Sequence, residues 1–186
     1  REKSWPVDVV VVQPNFDPWN EQFNQKPGES VDVNLELALQ KMDSTTDFIA
    51  CPESTIQETI WEDHPESSVS LQKLREFAAA NPRTGIVIGA STFREYASGE
   101  EITETARKFR NGNAYYDAYN SALYVSYEDG MMKHHKSKLT PGVEKMPFAK
   151  IMKPLEELAI NLGGTVGSLG SDPERTVFLR QRDGLK

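Results

Sequence analysis

The sequence predicts an α/β fold, and three observations predict it. Short apolar, β-branched runs alternate with helical stripes in the order strand, helix, strand, helix, strand over the first half of the chain. The first run, within Val7 to Gln13, carries four consecutive valines between Pro6 and Pro14 and reads as a central strand buried on both faces. At 186 residues the chain is long enough to close one core without disulfides or metal. No repeat, low-complexity tract or linker divides it, so a single domain over 1–186 is expected.

The elements follow in order. Pro14, Pro18 and Pro27 keep the segment after the first strand irregular. Residues 31–42 fit a helix: Val31, Leu35, Ala38, Leu39 and Met42 fall on one stripe, and Ser30 is placed to cap it. Asp47 to Cys51 is a short apolar strand that ends at Pro52-Glu53. A second helix is expected over 65–80, with Leu71, Leu74, Phe77 and Ala78 on its apolar stripe and Asn81-Pro82 as its stop. Ile86 to Phe93 is another buried strand.

The polar stretch 94–113 then interrupts the alternation. At this length it reads as a lid or an insertion. Strands resume at Tyr119 to Tyr127, where Tyr119, Leu123, Val125 and Tyr127 share a face. Glu128-Asp129-Gly130 reads as a hairpin turn, and Met131 to Leu139 as the return strand. A third helix is expected over 151–162, ended by Gly163-Gly164, and a last short strand over 176–179 before Asp183-Gly184.

Charge and composition exclude several functions. Lys plus Arg number 21 against 28 Asp plus Glu, a net charge of −7. With a pI near 5.1, no nucleic-acid partner is expected. There is no glycine-rich phosphate loop and no CxxC, and His64, His134 and His135 lack metal-ligand spacing, so no cofactor or metal is expected. Cys51 is the only cysteine, which rules out an intrachain disulfide. No apolar run approaches the ~20 residues of a membrane helix. A chain that begins at Arg1 is expected to be a piece of something longer.

Two places could carry chemistry. Glu53 stands where a buried strand ends, as sites in α/β folds do. It either caps the following turn or acts as a general base whose pKa partial burial raises. The second place is the run KSKLTPGVEKMPF at 136–148. It delivers lysines to a strand end, turns at Pro141-Gly142, and returns Glu144 eight positions after Lys136. An ammonium held by that glutamate can stabilise an oxyanion; the alternative is an exposed basic strand with a charged turn. Cys51, just before a proline, is read as a small core residue rather than a nucleophile.

Four stretches carry a resemblance: VVVVQPNFDPW (9–19), CPES (51–54), YDAYNSALYV (116–125) and KSKLTPGVEKMPF (136–148). The chain resembles the nitrilase, or carbon–nitrogen hydrolase, superfamily, and within it the apolipoprotein N-acyltransferase family. The resemblance implies an αββα sandwich, incomplete at its C-terminal side. It also implies a Glu–Lys–Cys triad in which Glu53 is the general base, Lys136 stabilises the tetrahedral intermediate and Glu144 supports that lysine. The family's nucleophilic cysteine follows an Asp-Gly turn like Asp183-Gly184, so this piece lacks it and is expected to be inactive alone. The partners implied are a phospholipid acyl donor and an apolipoprotein acceptor. The location implied is the bacterial inner membrane, with the domain facing the periplasm and membrane segments outside this chain.

Trp19 and Trp61 either line a lipid pocket, as the resemblance implies, or pack in the ordinary way, and a second copy is expected to pair on an exposed sheet edge. Where the family pattern has His after the lysine, this chain has Lys138; where it often has Trp, Cys51. Two other readings stay open: a soluble carbon–nitrogen hydrolase with the same triad, and a non-catalytic nitrilase-like binding module.

Overall fold

The computed structural model of the chain describes residues 6–17, 25–141, 144–145 and 168–184. It is mixed α/β: one sheet of seven strands with two helices. The strands are β1 (Val9–Val11), β2 (Phe48–Ala50), β3 (Ile56–Trp61), β4 (Gly85–Glu95), β5 (Arg107–Lys108), β6 (Tyr115–Ser126) and β7 (Gly130–His135). The helices are α1 (Glu29–Leu39) and α2 (Val69–Ala80).

Two long central strands organise the sheet. β4 pairs antiparallel with β6 over ten residues, from Ile86↔Val125 to Glu95↔Tyr116. The free edge of β4 is shared by two short parallel strands: β2 beside Gly85–Val87 and β3 beside Ala90–Phe93. The far edge of β6 is shared likewise by β7, opposite 121–126, and β5, opposite 115–116. The sheet therefore has a break on each side of its central pair: β2 runs on into β3 across one, and the chain leaves β7 at the other.

Core packing follows most of the predicted stripes, but α1 ends at Leu39 instead of 42, with Leu39 55% exposed and Met42 beyond the helix and only partly buried. Val31, Leu35 and Ala38 of α1 and Leu71, Leu74 and Ala78 of α2 are buried against Ile49, Ile86, Ile88, Leu123 and Val125 of the sheet. Ser68 caps α2 by accepting from the Leu71 N–H at 3.1 Å.

Several expectations are corrected. The four-valine run is not a central strand: β1 is an edge strand of three residues, with Val9 and Val11 45% and 75% exposed while Val12 is buried. Uniform hydrophobicity cannot tell an edge from a centre; only pairing does. Ser30 does not cap α1. Gly28 does, at a φ of 82° that other residues rarely adopt, and Ser30 sits buried inside the first turn. The strand β3 was not foreseen, because IQETIW alternates imperfectly.

The second helix begins later than 65, after a short 3₁₀ turn over Pro65–Ser67. The return strand stops at His135 instead of Leu139, Tyr127 lies beyond β6 and is exposed, and residues 176–179 form no strand. The 94–113 stretch is tied down. Its Tyr96, Thr103 and Thr105 hydroxyls all donate to the buried Asp117 carboxylate of β6. The helix expected over 151–162 lies outside the described residues.

The segment 168–184 is fixed to the sheet through charge. Asp172 accepts from the His135 N–H and faces its Nδ1, both at 3.1 Å. The other ring nitrogen, Nε2, lies 2.6 Å from Glu62. Lys133 and the Thr92 hydroxyl also reach the Glu62 carboxylate, which is 3% exposed. At the other end of the segment, Arg180 bridges Asp47 and Asp183 at 2.9 and 2.7 Å.

Burial pushes the Glu62 carboxyl up, but His135, Lys133 and Thr92 outweigh it and hold the group at about 2. A carboxyl held below its ordinary value contributes stability above pH 4.5, lost as pH falls toward 2. Glu62→Gln is therefore expected to cost about 3 kcal/mol at pH 7. In urea unfolding, the gap to the unsubstituted protein should close between pH 5 and pH 2.5. A gap independent of pH would show that packing, not charge, holds this position.

Candidate active site

The two breaks in the sheet bring the candidate residues together. After β2 the chain leaves β4 at Cys51-Pro52-Glu53 and rejoins it as β3. Cys51 N–H still donates to the Val87 carbonyl at 2.8 Å, and Gly89 N–H to the Pro52 carbonyl at 3.1 Å. Gly89 is where that crossing chain touches the sheet. A Cβ there would lie 1.5 Å from the Glu53 carbonyl oxygen, so only glycine fits beneath the turn.

On the other side, β7 ends at His135, and Lys136 N–H donates to the Asn120 carbonyl at 2.7 Å. The two break residues, Glu53 and Lys136, thus project beside Asn120, which stands on the strand between them.

The side chains converge. Lys136 Nζ donates to Glu53 Oε1 at 2.7 Å and to Glu144 Oε1 at 2.9 Å. Asn120 Nδ2 donates to the same two oxygens at 2.8 and 2.9 Å. The remaining oxygen of Glu144 accepts from the Thr140 N–H at 2.7 Å, and Leu169 N–H donates to the Glu144 carbonyl at 2.9 Å. Two carboxylates therefore share two donors, and neither could sit so close to the other without the ammonium between them.

The two carboxylates differ in setting. Glu144 is 14% exposed and Glu53 60%. Burial pushes Glu144 up, yet the Thr140 N–H, Asn120 and Lys136 together hold it at about 2. It is a fixed counter-charge. Glu53 opens onto a cleft of about 510 Å³, lined by Cys51, Val87, Gly89, Ala122, His134 and Lys136 among others.

The Glu53 carboxyl lies below its ordinary value, chiefly because Lys136 and then Asn120 hydrogen-bond to its charged form. This corrects the expectation that burial raises it: a group this exposed is little desolvated, and its partners favour the anion. Lys136 is held above its ordinary value, first by Glu53.

Cys51 lines the same cleft but packs against the core, and burial pushes its thiol up to about 12. That is the opposite of an activated nucleophile. Of the two readings of Trp61, ordinary packing holds, and the residue does not line the cleft. It stacks on Phe109 at 5.6 Å, beside Phe93 and Tyr116. Trp19, Gly142, Val143, Pro147 and Phe148 lie outside the described residues.

Asn120 and Gly89 are site residues that the sequence reading missed. Asn120 could have been suspected from a lone amide inside an apolar strand. Nothing in the sequence marks Gly89.

Over 184 residues the chain is 26% identical to the apolipoprotein N-acyltransferase of Chlorobaculum tepidum. The match covers 96% of this chain and 33% of that protein, so the chain spans about a third of its length. No protein-family model matches the chain. Among the described residues no helix is long and apolar enough to cross a membrane, and no cluster of His, Cys, Asp and Glu could hold a metal ion.

Gly89→Ala is expected to displace the Pro52–Glu53 turn and to destabilise the protein by about 3 kcal/mol or more, read by thermal or urea unfolding. An alanine variant as stable as the parent would mean that Glu53 does not cross the sheet here.

Proposed function

We propose that this chain supplies the general base and the oxyanion-binding lysine of an apolipoprotein N-acyltransferase. The observation that carries the proposal is the Lys136 ammonium, 2.7 Å from Glu53 and 2.9 Å from Glu144 at the wall of an open cleft. The similarity to the Chlorobaculum tepidum protein supports the choice of reaction. The fold we infer is one part of a nitrilase-like αββα sandwich, supported by a sheet against which two helices pack.

The reaction would run in two steps. Glu53 takes the proton of a cysteine thiol, and the thiolate attacks the ester carbonyl of a phospholipid. Lys136 swings its ammonium onto the developing oxyanion. Collapse breaks the C–O bond, and Glu53 returns the proton to the departing alkoxide, leaving a thioester and a lysophospholipid. The N-terminal amine of a diacylglyceryl-cysteine lipoprotein then attacks the thioester and passes its proton to Glu53. Collapse forms the amide, and the leaving thiolate recovers that proton.

A carboxylate held low by Lys136 is a weak base. Its basicity rises when substrate excludes water and the ammonium moves from carboxylate to oxyanion. Glu144, anchored by Thr140, keeps the lysine in place through that shift.

The thiol would come from a cysteine outside these 186 residues, because the partly buried Cys51 packs against the core and is held protonated. The setting proposed is the bacterial inner membrane, with this domain on its periplasmic side.

In the whole protein, Glu53→Gln and Lys136→Ala are each expected to lower thioester formation by about 10³-fold. Asn120→Ala should lower it by about 10- to 100-fold. Intact-protein mass spectrometry of the acyl-enzyme is the readout, and wild-type accumulation in Glu53→Gln would end this reading. Residues 1–186 alone, offered an activated fatty-acyl ester, should gain no adduct; acylation of Cys51 would overturn the assignment of the nucleophile elsewhere.

A further inference from the structure

The cleft wall carries two cations that the catalytic cluster does not use. Lys138 and Arg175 both line it, and among the described residues neither meets a carboxylate. Other described cations, Lys41, Arg75 and Arg110 among them, also stand exposed without an ion pair; Lys138 and Arg175 differ in facing one cavity, in a chain of net charge −7.

Their placement is built. Lys138 follows Lys136 by two residues on the chain leaving β7. Arg175 sits between Asp172, which holds His135, and Thr176, whose hydroxyl lies 2.9 Å from His134 Nδ1. The segment carrying Arg175 is thus pinned to β7 on both sides of it.

At rest the catalytic cluster is net negative. Lys136 is matched by two carboxylates, so Lys136, Glu53 and Glu144 together carry −1. An anionic ligand entering the cleft is repelled from that cluster and attracted to Lys138 and Arg175. Val87, Ile88 and Ala122 give the cleft an apolar stretch of wall.

We propose that Lys138 and Arg175 form a phosphate-binding subsite at the rim of this cleft. It would take a ligand with a phosphate at one end and an uncharged carbonyl-bearing chain that runs inward past the apolar wall to Lys136. The guanidinium offers a fork of donors to phosphate oxygens and the ammonium a point charge. The proposal rests on the acyl-transfer reading and deepens it. It says which end of the donor faces outward, and why the like charges of Glu53 and the phosphate stay apart.

The test uses the whole protein and two probes, glycerophosphoethanolamine as a soluble lipid headgroup and inorganic phosphate, each titrated calorimetrically at low and high salt. At least one should bind saturably and more weakly as salt rises. Lys138→Ala and Arg175→Ala should each weaken it about tenfold, and Lys138→Arg should restore most of the loss. Tighter binding of the diester assigns the subsite to a lipid headgroup, and tighter binding of inorganic phosphate to free phosphate. No saturable binding of either probe, or binding unchanged in the double alanine variant, overturns the proposal. The two readings fail separately: anion binding with acyl transfer indifferent to Glu53→Gln sinks only the catalytic one. Glu53-dependent transfer without anion binding sinks only the subsite.

Discussion

One ammonium between two carboxylates sets the terms for everything around it. Glu53 and Glu144 each give one oxygen to the same pair of donors, Lys136 Nζ and Asn120 Nδ2. Remove the lysine and two anions are left facing each other across one amide, so the cluster stands or falls as a unit. Its asymmetry gives it a direction. Glu144 is held from behind by the Thr140 N–H and is nearly enclosed, whereas Glu53 is held by the Lys136 and Asn120 side chains and faces the cleft. Any rearrangement that moves the lysine therefore disturbs Glu53 more than Glu144. Glu53 is the member whose proton affinity a ligand can change.

The sheet makes this cluster possible by being broken twice. A continuous strand beside β4 would have carried its side chains alternately above and below the sheet and would have left no room for a turn. Instead β2 stops, the chain crosses over Gly89, and β3 resumes. The matching gap beside β6, between β7 and β5, frees Lys136. Asn120 belongs to both sides: its carbonyl accepts from Lys136 N–H and its side chain reaches both carboxylates. A single residue on the central pair thus fixes the backbone of the lysine and the heads of its partners, which explains an amide in the middle of β6, between Tyr119 and Ser121.

How much of this the sequence disclosed follows from what local pattern can encode. The helix stripes through Leu35 and Leu74 and the buried strand around Ile88 were legible, because periodicity states which residues face the core. The eight-residue return from Lys136 to Glu144 was legible as a loop, and the meeting of Glu53 with Lys136 came only through resemblance. The position of β1 was not legible: valine looks the same at an edge and at a centre. Nor was Gly89, whose meaning lies in a carbonyl from a turn 36 residues earlier in the chain. The direction of the Glu53 shift was misread because burial was inferred from the strand before it. Its actual setting is an exposed carboxylate facing an ammonium 83 positions away.

The lone thiol shows the same division between sequence and setting. Cys51 is two residues from Glu53 and borders the cleft, so proximity alone would make it a nucleophile. Two physical facts oppose that. Its sulfur packs with the core cluster, and burial, the only cause acting on it, drives the thiol up to about 12. The positive charge that could lower it, Lys136, is already engaged by two carboxylates. Activation of a thiol needs a cation that is free or a base that is not yet satisfied. In the proposed reaction Glu53 loses its hold on Lys136 as the oxyanion develops, so proton transfer from the thiol, attack on the carbonyl and the shift of the ammonium run together. A thiol that serves this cluster must therefore approach Glu53 from the open side of the cleft, where 60% of that side chain is exposed, and not from the sheet beneath it.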